Sequence, residues 1–346
     1  LVGSEMCIRD SFYVADGTFN FYDTEKKTAY QDCYASLNAG KTLGIGNYDS
    51  ANIIHSNGKF YLLVGTSTSN RDHFYIVDAK TLYYENSAVV GANLSGLTIL
   101  NEQYGLVTGD GIRRIDLKSL NNVRIKNERM LCFYNSIIYN GKVLSNDTYK
   151  DESKVKYYDV NELIAAKEGE APAVTELDII QKQKINFVLA KDGNVYTLES
   201  ADNGCNIVKI KNDFTLEKVF ANFQPAKGPY HSSPTIGMVA SETENIIYLV
   251  STDGAIYKYI LGDSDSLKAP FIAAESGVSI TAPLQLNQQS GELYVTYTEE
   301  LKDESKIVVY NKDGKALHTV DCGESVPSQI LFNNSVSYTH LRAHET

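Results

Sequence analysis

An all-β fold, a seven-bladed β-propeller of four-stranded antiparallel blades closed by a C-terminal strand added to blade one, is predicted by three observations. They are a strand-favouring composition, a hairpin that recurs along the chain, and turn dipeptides at matching places in successive repeats. Hydrophobic residues make up 43% of the 346 positions, with 24 Tyr, 12 Phe, no Trp and 7 Pro. Tyr and Phe suit pleated, half-buried surfaces, and scarce Pro leaves ladder hydrogen bonds uninterrupted.

The hairpin's first strands begin at Phe12, Phe60, Gly105, Lys142, Asn194, Ile246 and Glu292, a spacing of roughly 45 residues. Its second strands are TFNFYD from Thr18, HFYIVD from His73, GIRRID from Gly111, KVKYYD from Lys154, NIVKI from Asn206, AIYKY from Ala255 and KIVVY from Lys306. Several alternate with period two, the side-chain repeat of a strand. The intervals supply further strands, at Ala51–His55, Ser136–Tyr139, Asn186–Ala190 and Gly237–Ser241.

Counting all four strands of a blade from the innermost, Asn57-Gly58, Asn140-Gly141 and Asp192-Gly193 fall between the first and second strands, and Asp16-Gly17, Asp110-Gly111 and Asp253-Gly254 between the second and third. Such pairs tolerate the positive φ of tight hairpins. The first repeat lacks an innermost strand, and PSQILF, Pro327–Phe332, is left over to supply it. Closure of the ring hides open β edges. One short helix is expected over Val160–Lys167, capped by Asn161.

Residues 1–10 (LVGSEMCIRD) and Val336–Thr346 (VSYTHLRAHET) fit no blade pattern and resemble translated sequencing-adapter sequence. The chain therefore divides into a propeller over 11–333 between non-native or disordered tails, 1–10 and 334–346. Cys7, His340 and His344 are set aside with the tails. The net charge is −11 with no basic tract, which argues against nucleic acid and against an anionic membrane surface. The five cysteines form no C-x-x-C pair, so no zinc knuckle or dithiol centre is predicted.

The hairpins read NGKFYLLV from Asn57 with FYIVDAKTL from Phe74, and GIRRIDLKSL from Gly111. These segments resemble the repeats of the YncE-like, YVTN-type seven-bladed propellers. Phe12–Asp23 followed by Lys41–Gly44 resembles the surface lipoprotein propellers of Bacteroidetes, a group that includes a cobalamin-capturing protein. The resemblance implies an extracytoplasmic place, at the cell surface or in the periplasm, and an outer-membrane lipoprotein anchored through an N-terminal lipid not present in this chain. No cofactor is predicted from motifs; a cobalamin-like ligand is what the resemblance would add.

In a propeller, outer-to-inner connections and second-to-third connections share the face around the channel mouth, where rigidly mounted loops carry function. Tyr48-Asp49, Tyr134-Asn135 and Tyr230-His231 each stand just before an inner strand. An aromatic beside a hydrogen-bonding residue, repeated around a mouth, suits the wall of a ligand site. Tyr149 lies in the acidic loop Asn146–Ser153, and Arg71 and Lys184 would supply positive charge for an anionic group.

No catalytic or metal residues are predicted. The remaining histidines, His55, His73, His231 and His318, show no ligand spacing, and G-x-S-x-G, P-loop and dinucleotide motifs are missing. The function expected is a non-catalytic extracytoplasmic propeller that binds a small molecule, a glycan or an outer-membrane protein partner through its mouth face. The alternatives are a lyase or hydrolase using side chains from several blades, or a protein-docking scaffold.

Overall fold

The computed structural model describes residues 11–332, apart from 16–17, 24–25, 27, 31–32, 42, 44–47, 67–71, 92–93, 110, 127–135, 147–152, 171, 183–185, 227–236, 300–303 and 324–328. The first sheet holds β1 (Ser11–Ala15), β2 (Thr18–Asp23) and β3 (Thr28–Tyr30). After α1 (Cys33–Leu37) the second holds β4 (Tyr48–Ser56), β5 (Lys59–Thr66), β6 (Asp72–Asp78) and β7 (Tyr84–Gly91). The third is β8 (Leu94–Ile99), β9 (Tyr104–Gly109), β10 (Gly111–Asp116) and β11 (Asn122–Lys126). The fourth is β12 (Ile137–Tyr139), β13 (Lys142–Asn146), β14 (Ser153–Asp159) and, after α2 (Val160–Ala165), β15 (Val174–Gln181).

The fifth sheet is β16 (Val188–Leu189), β17 (Val195–Ala201), β18 (Gly204–Ile210) and β19 (Leu216–Phe223). Then come β20 (Met238–Ala240), β21 (Ile246–Val250) and β22 (Ile256–Ile260). The last sheet has β23 (Val278–Ile280), β24 (Gln285–Leu286), β25 (Leu293–Glu299), β26 (Ser305–Tyr310) and β27 (Ala316–Gly323). Finally β28 (Gln329–Phe332) returns to pair antiparallel with β1, placing Ser11 opposite Phe332 and Tyr13 opposite Ile330.

Among the described residues, no sheet is closed on itself by hydrogen bonds. Apolar packing between neighbouring sheets holds the ring. One buried cluster joins Tyr61, Leu63 and Phe74 to Val107 and Ile115 of the next sheet; another joins Tyr294 and Val309 of the last sheet to Tyr22 and Ile330 of the first. Removing such faces from water is the main stabilising contribution, about 1.5–3 kcal/mol for each large side chain.

The expectation of a seven-bladed ring of four-stranded blades is corrected here. Among the described residues, six blades stand in the ring with four or more strands, whereas the sheet of β20, β21 and β22 stops at three. Past Ile260 the chain turns into a 3-10 helix, Ser264–Leu267, and Pro270 follows. Only Ile272 then bridges back to Ile256, so the outer strand is reduced to a single bridge. Proline without an N–H and a competing local turn explain the loss.

Turn chemistry follows the sequence where it is described. Asn57 and Gly58 adopt φ of 52° and 70°, and Asn140 and Gly141 adopt 47° and 70°, the paired positive values of a type I′ hairpin. The Asp that ends a second strand also has a local task. The Asp78 carboxylate accepts from the N–H groups of Lys80 (3.0 Å) and Thr81 (2.7 Å) and from the Thr81 hydroxyl (2.7 Å). Asp116 repeats this with Lys118 and with the N–H and hydroxyl of Ser119.

Helix α2 begins where the sequence places it, but its cap is Asp159 and not Asn161: the carboxylate accepts from Asn161 N–H (2.8 Å) and Glu162 N–H (3.0 Å). At the other end Arg114, from the neighbouring sheet, donates to the carbonyls of Leu163, Ile164 and Ala166. Helix α1 is a second short helix, where the sequence predicts only the one over Val160–Lys167. It is held by Asn38, which donates to Tyr34 O (2.9 Å) and Leu82 O (2.7 Å) and accepts from Tyr84 N–H (2.7 Å).

His55, on the innermost strand β4 and opposite Phe60 of β5, is half-buried, and among the described residues its Nε2 has no hydrogen-bond partner. Burial depresses its pKa, so the unfolded chain takes up the proton more readily than the folded one. Stability is expected to be complete above about pH 6.5 and to decline as pH falls toward the lowered folded value. Thermal melts from pH 7.5 to 5 should show this decline in the wild type and a shallower one in His55→Gln; equal slopes would rule His55 out.

Candidate functional site

The face expected to carry function is bounded by the starts of the innermost strands and the ends of the second strands. Register irregularities concentrate there. In β4, Tyr48 pairs with Thr66 and Ser50 with Gly65, which leaves Asp49 as an extra residue in the ladder. In β8, Leu94 pairs with Gly109 and Gly96 with Thr108, so Ser95 occupies the same situation in the next sheet. A bulge of this kind bends the strand and re-aims its side chains, and bulges are frequent beside active sites.

The ladders of the third and fourth strands shift too, near Asp72 against Gly91, Ile112 against Lys126 and Ser305 against Gly323. Sequence reading found Tyr48 and Asp49 as residues but had no means of seeing the bulge. Among the other predicted wall residues, Arg71, Tyr134, Asn135, Tyr149, Lys184, Tyr230 and His231 lie outside the described residues.

Just below this rim a buried polar chain crosses from one sheet to the next. Asn146 Nδ2 donates to Gln181 Oε1 at 2.6 Å; Gln181 Nε2 donates to Thr197 Oγ1 at 3.0 Å and to Leu198 O at 2.9 Å. Thr197 in turn donates to Asn186 O at 3.0 Å, and the Asn186 amide meets Met238 through both its atoms, at 2.7 and 3.0 Å. Asn146, Gln181 and Thr197 are at most 1% exposed.

Buried amides and hydroxyls that satisfy one another fix a single arrangement, since a slip would leave several desolvated groups unpaired. The chain therefore locks three consecutive sheets at the base of the mouth. Sequence reasoning missed these residues. The available signal was a polar residue interrupting an apolar strand, as in KVLSN and NVYTL.

Chemistry within the channel wall is sparse. Among the described side chains of the innermost strands β4, β8, β12, β16, β20, β24 and β28, none is Asp, Glu, Lys or Arg. Among the described residues no three His, Cys, Asp or Glu side chains gather as a metal site. The described wall thus presents apolar, hydroxyl, amide and imidazole groups, His55 of β4 among them.

Comparisons with known proteins place this architecture. The chain is similar, at 98% identity and a TM-score of 0.90, to a crystal structure described as a quinonprotein alcohol dehydrogenase-like protein from Bacteroides thetaiotaomicron, over 94% of this chain and 79% of that one. A protein of unknown function from Desulfotomaculum acetoxidans shares the fold at 12% identity and a TM-score of 0.59, over 93% of this chain and 98% of that one. A dihydro-heme d1 dehydrogenase shares it at 10% identity and 0.57, over 96% and 76%. No curated protein matches the chain.

The resemblance to YncE-like, YVTN-type propellers is corrected by these findings. The residues that carry it are the Asn-Gly turn and the V-D-x-x-T ending, and the Asp78 and Asp116 hydrogen bonds show what those endings do. They cap a turn, a local need that any propeller hairpin can meet in the same way. Over residues 7–333 the sequence matches instead the family described as Domain of unknown function (DUF5074), and the chain belongs to that family.

Proposed function

We propose that this propeller takes a small molecule at the mouth of its channel, in a site assembled from side chains of several blades. The observation that carries the reading is the bulge at Asp49, which sets Tyr48 and Asp49 apart from the regular ladder at the rim. The matching bulge at Ser95 extends the same feature to the adjacent blade. With an uncharged described wall below, Arg71, Tyr134, Asn135, Tyr149, Lys184, Tyr230 and His231 would provide the aromatic surface, the directional polar groups and the charge.

Catalysis at that mouth is the second reading, favoured by the relative described as quinonprotein alcohol dehydrogenase-like. A bound quinone needs cationic or metal-held partners around its oxygens. The side chains described on the inner strands are uncharged, and among the described residues no metal cluster gathers, so these residues do not fit such a group.

A thermal-shift screen with corrinoids, haem, quinones and glycans tests the first reading, because specific binding raises apparent stability by mass action. A hit is expected whose stabilisation falls in Tyr134→Ala and in Tyr230→Ala. Stabilisation unchanged in both variants would place the ligand elsewhere. For the second reading, dye-linked oxidation of primary alcohols with added quinone should show turnover above that of heat-treated protein; equal rates would remove it.

A further inference from the structure

The face opposite the mouth carries two adjoining depressions on the fifth sheet. One, of about 410 Å3, opens between that sheet and the three-stranded one; Lys209, Glu217, Lys218 and Val219 line one side, and Asn245, Tyr259 and Leu261 the other. The second, of about 430 Å3, lies along Asn194, Lys211, Asn212 and Asp213, and the two share Lys209. Each has the volume of a small-molecule site, for which roughly 300–1,000 Å3 is usual.

Charge in the pair is balanced. Asp192, Asp213 and Glu217 face Lys209, Lys211 and Lys218. The groups are also fixed to one another: Asp192 accepts from Lys209 and from the Tyr196 hydroxyl, both at 2.9 Å, and Lys211 pairs with Glu217 at 2.9 Å. Burial alone would raise the Asp192 pKa, but its bonds from Lys209, Tyr196 and Asn194 outweigh this and hold it below the ordinary value. A ligand with net charge would meet as much repulsion as attraction here. A ligand with many hydroxyls would find ammonium donors, carboxylate acceptors and the amides of Asn212 and Asn245, over an apolar floor of Val219 and Leu261.

We infer that this opposite face is a second binding site, for a short, neutral oligosaccharide that spans the two depressions across Lys209. Hydroxyls both donate and accept, which suits a surface carrying both kinds of partner, and C–H faces of a sugar ring cover the apolar floor. Two linked depressions suit two linked rings. The site is independent of the mouth, since its residues come from the ends of strands that point away from it.

Cellobiose and maltose serve as probes in titration calorimetry and saturation-transfer NMR, with glucuronate and glucosamine as charged controls. At least one neutral disaccharide is expected to bind, more tightly than either charged sugar. Lys218→Ala and Asn245→Ala should each weaken it by about tenfold, about 1.4 kcal/mol. Both side chains are exposed, Lys218 at 55%, so melting temperatures should match the wild type. Absence of binding by both disaccharides, preference for a charged sugar, or affinity unaltered in both variants would overturn the inference. Binding that survives both variants but is lost in Tyr134→Ala would assign the sugar to the mouth instead.

Discussion

Replacement of Gln181 by leucine is expected to lower unfolding free energy by about 3 kcal/mol, although the substitution adds apolar surface to a buried position. Gln181 is 1% exposed, and its amide is used on both atoms. Leucine would leave the Asn146 amide and the Leu198 carbonyl buried without the partners they now have, at a cost of about 1–3 kcal/mol each. Urea denaturation of Gln181→Leu and of the double variant Asn146→Leu with Gln181→Leu separates the causes. The double variant should recover part of the loss, because a missing pair costs less than an orphaned group. Simple additivity of the two losses would mean that the amides are not coupled.

Arg114→Met is expected to cost about 2–3 kcal/mol. Methionine keeps the apolar stem over Tyr104, which the guanidinium now covers at 5.1 Å from the ring centre. It removes the donors that reach Leu163 O, Ile164 O and Ala166 O. Helix α2 has six residues, so most of its C-terminal carbonyls lack partners within the helix. The cation also meets the negative end of the helix dipole. Arg114→Lys should rescue less than half of the loss, since all three bonds come from Nη1, and the lysine ammonium ends one bond short of that position and lacks the planar group that covers Tyr104. Full rescue by lysine would reduce the role of Arg114 to its charge.

Much of the architecture was legible because it depends on local chemistry. Asn57-Gly58 and Asn140-Gly141 announce their hairpins through backbone conformations few other residue pairs accept. The strand pairs they join follow from period-two alternation. The strand count of each blade was less legible. A lost fourth strand in the sheet of β20, β21 and β22 depends on how the segment through Pro270 settles against its own edge, and a repeat length shows only that residues are available. Helix α1 was invisible for a related reason: five residues hold a helix through the tertiary bonds of Asn38, not through propensity.

The site was legible only as residue types. Tyr48 and Asp49 were found by their position before an inner strand, and the bulge that gives them meaning is a matter of pairing between two strands. The polar chain from Asn146 to Met238 crosses sheets whose residues lie far apart in sequence. The family was obscured by turn-capping motifs that recur for physical reasons in unrelated hairpins.

The central claim, a mouth site built from several blades, is tested most directly by hydrogen exchange on the protein with and without the ligand found by thermal shift. Slower exchange is expected together in segments 44–49, 127–135, 183–185 and 227–236, which in sequence lead into the inner strands of different blades. Protection confined to one of these segments, or found instead around Lys209 and Asn245, would contradict it.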